Sequence, residues 1–325
     1  MKEINLSEIN GIKIGNAQNI KGATGCTVIL CENGGTAGVD VRGGAPASRE
    51  TELLKSENTV DKVHGIILSG GSAYGLDAAA GVMQYLEEKE KGFSVKTGVV
   101  PIVCGASLFD LIVGDSKCRP DKKMGYEACL NSEKNEIKEG NIGAGTGASV
   151  GKIRGVERAM KGGLGIYAVQ LGELKVGAIV AVNALGDIID IDTNEIIAGL
   201  LNEEKNCLAS TEEEIYSQYE NVSKNIFNGN TTIGCIVTNA KLTKSQMNKL
   251  ASISHNGYAK AISPVHTTVD GDTIFTITTD EIEVMPDAVG ILATKVMSKA
   301  INRAVLNAES SYNLKSAKEM RKKLK

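Results

Sequence analysis

The chain has 325 residues, 42% of them hydrophobic and 4% aromatic, with a formal net charge of -3, enough apolar material for one large domain or two intimate ones. It has no Trp, which argues against stacking platforms for single-stranded nucleic acid. It also has no apolar run of about 18 residues, and Met1-Lys2-Glu3-Ile4 is not followed by a signal-peptide core; a soluble, cytoplasmic protein without nucleic-acid or membrane partners is expected.

Seven cysteines, at 26, 31, 104, 118, 129, 207 and 235, include no C-x-x-C pair. Neither a disulfide framework nor a zinc site is supported, and buried apolar thiols are expected. Residues 231–325 hold 13 Lys+Arg against 8 Asp+Glu, a balance of +5, which leaves -8 for residues 1–230. Much of the positive end is the tail 315–325, read as a solvated terminus.

Thirty-seven glycines against five prolines imply tight turns and close backbone approaches. In chain order, residues 12–14, 26–31 and 36–41 read as short strands, 42–46 as a turn, and Ser48 as the cap of a helix over 49–54. Residues 63–68 form an apolar strand closed by Ser69-Gly70-Gly71-Ser72, and 73–88 an amphipathic helix. That turn has no G-x-G-x-x-G spacing and no P-loop lysine, and Tyr74 stands where a nucleophile elbow needs glycine, so its glycines read as packing. After apolar stretches at 99–103 and 106–113 comes a charged, irregular excursion over 116–140.

The loop 141–153 resembles a Walker motif, but its glycine spacing is wrong and Ile153 replaces the hydroxyl residue. It ends in Lys152, either a surface charge or, if buried, a cation facing a site. Residues 162–169 and 175–187 read as neighbouring strands, with Asn183 near a strand end. Residues 202–230 are highly charged and read as a linker. Thr243-Lys244-Ser245-Gln246 is a capping-box start for a helix to about Ile262, residues 269–277 read as a hairpin with an Asp-Gly turn, and Pro286 opens a helix to about Ala308. His64, His255 and His266 show no metal-ligand spacing.

The junction Asn230-Thr231-Thr232-Ile233 joins the charged stretch to a β-branched run. A threonine hydroxyl is a weak nucleophile unless a base is at hand, and its own α-amino group can be that base once the preceding peptide bond is cut. Locally, an ordinary loop entering a strand has the same residues.

In order along the chain, the blocks 11–25, 38–44, 68–75, 143–152, 182–187, 230–233 and 270–275 together resemble the DmpA-type self-cleaving peptidases. That family comprises L-aminopeptidase/D-esterases, β-peptidyl aminopeptidases and nylon-oligomer (6-aminohexanoate-oligomer) hydrolases. The resemblance implies an α+β fold, a four-layer αββα sandwich of the N-terminal-nucleophile-like type shared with ornithine acetyltransferase. It implies one structural domain cut between Asn230 and Thr231 into a large chain, 1–230 with a mobile 202–230 tail, and a small chain, 231–325. Thr231 would be the nucleophile, Asn183 an oxyanion donor, Lys152 a neighbour of the nucleophile, and Asp270 and Asp272 the acidic pair of the nylon-hydrolase branch. The family often has a tyrosine near the nucleophile; this sequence offers Phe109, a departure that bears on one hydrogen bond and on specificity. The implied activity is hydrolysis of small peptides or amides through an acyl-threonine, without metal or organic cofactor, by a homo-oligomer of cleaved units, a tetramer. Acyl transfer of the ornithine-acetyltransferase kind and a non-cleaving binding protein are the alternatives.

Overall fold

The computed structural model of the chain describes residues 1–220 and 229–323. Ten strands form its main sheet: β1 (Lys2–Ile4), β2 (Lys13–Asn19), β3 (Thr24–Val41), β4 (Ser48–Arg49), β5 (Lys62–Ser69), β6 (Val103–Ser107), β7 (Gly163–Leu171), β8 (Leu174–Asn183), β9 (Thr231–Ala240) and β10 (Thr273–Ile282). Their order is β1-β7-β8-β9-β10-β3-β5-β6-β4, with β2 also paired to β3. The 18-residue β3 links two layers: residues 24–30 pair with β2 and β5, and residues 36–41 pair with β10, with a register shift between.

The alternation of side chains shows the layering. Ile29, Ile66 and Leu68 from one half of the sheet meet Ile179, Ile233, Cys235, Val237 and Phe275 from the other in a shared core. Their neighbours point outward: Cys26, Val28, Leu30 and Ile67 pack under the helices α1 (Ala78–Glu88) and α2 (Lys122–Ser132). Val176, Ala178, Val180, Val182 and Ile236 pack under α4 (Lys244–Ala261) and α5 (Pro286–Leu306). The result is a four-layer αββα sandwich, and it explains why β8 and β9 read as continuous apolar runs: both of their faces are covered. Each large apolar side chain so buried contributes about 2 kcal/mol. Close layers demand small residues; a Cβ on Gly165 of β7 would stand 1.9 Å from the Ala300 carbonyl oxygen of α5.

Several expectations are corrected. Residues 269–277 are not a hairpin: β10 runs between parallel β9 and antiparallel β3, so the Asp-Gly pair precedes a central strand instead of linking two paired ones. The expected helix over 49–54 is reduced to a 3-10 turn, Glu52–Leu54, because Ser48–Arg49 pairs with β6 and Thr51 makes no side-chain cap. The first turn of the 73–88 helix is also 3-10, Ser72–Asp77. The 116–140 excursion contains α2, whose N-terminus is capped by Asp121 accepting from the Met124 N–H at 2.9 Å. Of the cysteines, 26, 31, 104, 129 and 235 are buried, whereas Cys207 is exposed.

The charged stretch 202–230 holds a helix, α3 (Thr211–Glu220). Buried Asp187 anchors its start, accepting from the Thr211 N–H and hydroxyl, both at 2.6 Å. The rest of the expected tail, 221–228, lies outside the described residues. Among the described residues no helix is long and apolar enough to cross a membrane.

Candidate active site

Strand β9 begins at Thr231, opposite Asn183 at the end of its antiparallel partner β8. On its other side β9 pairs in parallel with β10, and a further bridge joins Asn230 to Asp270. The Asn230-Thr231 peptide therefore sits where three adjacent strands begin or end, and both residues are buried, together with Lys152, Asn183, Asp270 and Asp272. The structure brings every sequence-predicted site residue to this one place.

Asp270-Gly271-Asp272 wraps around the junction. The Gly271 N–H donates to the Asn230 carbonyl oxygen at 3.0 Å, and Asp272 Oδ1 accepts from the Thr232 N–H at 2.8 Å. The Thr231 hydroxyl also donates to the Asn230 carbonyl. A Cβ on Gly271 would lie 2.7 Å from Thr231 Oγ1, so the absence of a side chain is what lets the two segments close on one another.

The two carboxylates are fixed from behind by consecutive residues. Asp272 Oδ2 accepts from the His266 N–H at 3.1 Å and from His266 Nδ1 at 2.8 Å. Asp270 Oδ2 accepts from the Thr267 N–H at 3.1 Å and from its hydroxyl. Burial, then repulsion from Asp272, pushes the Asp270 carboxyl up to about 6.

Lys152 follows the glycine loop, and its backbone is held by the 183–187 turn: the Gly151 and Lys152 N–H groups donate to Gly186 and Leu185 carbonyls at 3.1 and 3.0 Å. Its Nζ reaches the Asn183 carbonyl at 2.9 Å and the Gly229 carbonyl at 3.2 Å. Burial brings the amine down to about 7, against the opposing pull of Asp270, Asp110 and Asp272. Of the two possibilities left by the sequence, the surface charge is excluded: Lys152 is buried. Asn183 braces two loops, its Oδ1 accepting from the Ser149 N–H and its Nδ2 donating to the Phe109 carbonyl, both at 3.0 Å. The Phe109 ring lies against Gly229, where a Cβ would stand 2.5 Å from Cδ1.

Three groups near the site were not found from the sequence. Asp110 is buried, accepts from the Thr24 hydroxyl and the Gly71 N–H at 2.7 Å each, and is pushed by burial to about 6. A lone carboxylate inside the apolar 106–113 stretch was the available signal. His266 shows neither metal-ligand spacing nor a Ser-His-Asp triad in sequence proximity, and a carboxylate partner requires neither. The third is Tyr258, whose hydroxyl reaches the Thr232 and Thr273 carbonyls at 3.3 and 3.4 Å.

The model of Peptidase family S58 matches residues 5–318. The chain belongs to this family. A protein of Mycobacterium tuberculosis described as an uncharacterized aminopeptidase is 36% identical, over 97% of each chain. The 6-aminohexanoate-oligomer endohydrolase of Paenarthrobacter ureafaciens is 32% identical, over 90% of this chain and 84% of its own. Among solved structures, the L-aminopeptidase D-ala-esterase/amidase of Ochrobactrum anthropi, described as a variant of the Ntn hydrolase fold, superposes with a TM-score of 0.72 at 16% identity, over 98% of this chain and 92% of that one. A Burkholderia β-aminopeptidase gives 0.67 at 18% identity, covering 98% and 92%. The S58 chain is thus a DmpA-type hydrolase of peptide or amide bonds on the N-terminal-nucleophile-like sandwich.

Proposed function

We propose that this S58 chain cuts itself between Asn230 and Thr231 and then hydrolyses small peptides or amides with Thr231 as N-terminal nucleophile. The supporting observation is the Thr231 hydroxyl buried against the carbonyl of its own preceding residue, with a buried lysine, brought down to about 7, bonded to the Gly229 carbonyl two residues before it. A neutral lysine amine has two hydrogens and one lone pair. The hydrogens are engaged by the Asn183 and Gly229 carbonyls, which leaves the lone pair to take a proton.

In self-cleavage, Lys152 accepts the Thr231 hydroxyl proton as Oγ1 bonds to the Asn230 carbonyl carbon. The Gly271 N–H, already on that oxygen, stabilises the developing oxyanion, a contribution of about 3 kcal/mol for a well-placed donor. The C–N bond breaks, its nitrogen takes the proton, and water hydrolyses the Asn230 ester to a carboxylate and a free Thr231 hydroxyl. In turnover the new α-amine or the Asp270/Asp272 network takes the hydroxyl proton as Oγ1 attacks a substrate amide, then passes it to the amide nitrogen, which departs as the amine when the C–N bond breaks. Asn183 Nδ2 supplies a hydrogen to the oxyanion; among the described residues one of its two is engaged, by Phe109. Water then releases the acyl group from threonine.

The acidic pair of Asp270 and Asp272 favours the site chemistry of the nylon-hydrolase branch, and a homo-oligomer of cut units, a tetramer, is part of the proposal. Intact mass under denaturing conditions tests the first step: species of residues 1–230 and 231–325 are expected, and a whole, hydrolytically inactive chain would overturn the reading.

A further inference from the structure

The dipeptide His266-Thr267 makes four hydrogen bonds to the two site carboxylates, two from each residue to the outer oxygen of one aspartate. The inner Asp272 oxygen, Oδ1, is left to receive the Thr232 N–H, immediately beyond the nucleophile. Between the two aspartates stands Gly271, whose N–H is on the carbonyl oxygen of the scissile peptide. The orientation of that N–H therefore depends on how its two flanking carboxylates are held.

Like charges on Asp270 and Asp272 repel, and each needs donors on the side away from the other to stay in place. A carboxylate is acceptor-only, so the His266 proton that meets Asp272 resides on Nδ1. The imidazole is itself confined, edge-on to His255 with ring centres 4.7 Å apart and stacked on Tyr258 at 5.9 Å. Tyr258 in turn reaches the Thr232 and Thr273 carbonyls, so the ring is braced by the strands it serves. His266 has φ 57, in the left-handed region that asparagine and glycine tolerate best. That backbone turn lets its N–H and ring nitrogen converge on one oxygen.

We propose that His266 and Thr267 are positioning residues of this S58 site: a paired clamp that aims Asp272, Asp270 and, through them, the Gly271 N–H at the bond Thr231 attacks. The proposal rests on the Thr231 reading. It assigns neither residue contact with substrate.

The test follows self-cleavage by intact mass against time, and amide turnover by the cut protein, in the parent, His266→Gly, His266→Asn and Thr267→Val. Glycine keeps the left-handed backbone and its N–H but removes the ring; asparagine restores a donor near the Nδ1 position. His266→Gly should slow self-cleavage and kcat by about tenfold or more, since small misplacements of a reacting geometry carry penalties of that order, with KM little changed. His266→Asn should recover most of the loss. Thr267→Val, which keeps its N–H, should slow both steps by a smaller factor and provides the answer if His266→Gly does not fold. Unchanged rates in His266→Gly or Thr267→Val overturn the clamp, as does a folded His266→Asn no faster than His266→Gly. A parent that neither cuts nor hydrolyses overturns the Thr231 reading itself.

Discussion

Among the described residues Lys152 and Lys161 are fully buried, and both are brought down to about 7 by burial, yet their surroundings differ. Lys161 Nζ donates to the carbonyls of Gly145 and Ala148 in the glycine loop at 2.8 and 2.9 Å and to that of Gly162, just before β7, at 3.2 Å. Lys152 bonds to two carbonyls among the described residues, and one of them, Gly229, lies two residues before Thr231. Asp270, Asp110 and Asp272 pull on Lys152, whereas Asp110 alone does so on Lys161. A displaced pKa by itself therefore does not mark a site. What distinguishes Lys152 is a contact two residues before Thr231, the residue proposed to react, while Lys161 spends three hydrogen bonds on backbone carbonyls.

The largest effect that tests this contrast is Thr231→Ala, which leaves both lysines in place and removes the hydroxyl that Lys152 would serve. The variant should remain one 325-residue chain by mass and lose amide turnover by at least about 10⁴-fold, the scale for removing a nucleophile. Next is Lys152→Met, expected to slow self-cleavage by about 10² to 10⁴, the range for general acid-base groups. Lys161→Met should change that rate only a few-fold but cost about 2 kcal/mol or more in a denaturant titration, because buried carbonyls lose their donor. Equal kinetic losses in the two variants would erase the distinction drawn here.

The pH dependence sharpens it further. Lys152 is a base only when neutral, so self-cleavage should rise about tenfold per pH unit below about 7 and level off above it, a limb absent from Lys152→Met. The smallest expected effect concerns stability. The folded value of Lys161 lies below the ordinary 10.5, so between about 7 and 10.5 the unfolded chain binds more protons. Stability from this group is present above 10.5 and is lost as pH falls toward 7. Lys161→Met should reduce the slope of unfolding free energy against pH in that window, a readout available from titrations at pH 7, 8.5 and 10.

The apolar runs of β8, β9 and α5 were legible because they follow periodicity and end signals: Asn183 at a strand end, a capping box at Thr243, Pro286 at a helix start. The candidate site was legible only as separated blocks in the order of the S58 family. Periodicity failed at Asp270-Gly271-Asp272, since a hairpin turn and a carboxylate clamp use the same residue types. The difference lies in whether the aspartates bond their own turn or distant groups such as Thr232 and Leu185. It failed also at 116–140, where Asp121 caps a helix whose exposed face is charged.

The sequence by itself determined the apolar strands and helices, because covering both faces of a sheet demands uninterrupted apolar runs, and it determined the polar junction at Asn230-Thr231; the four layers entered only through the family resemblance. Only the tertiary structure decided that Lys152 is a buried amine at about 7 rather than a surface charge, that Gly271 directs its N–H onto the Asn230 carbonyl, and that His266 backs Asp272. Those are properties of distance and burial between segments far apart in the chain. Charge state and hydrogen-bond direction depend on what surrounds a group, which sequence spacing does not contain.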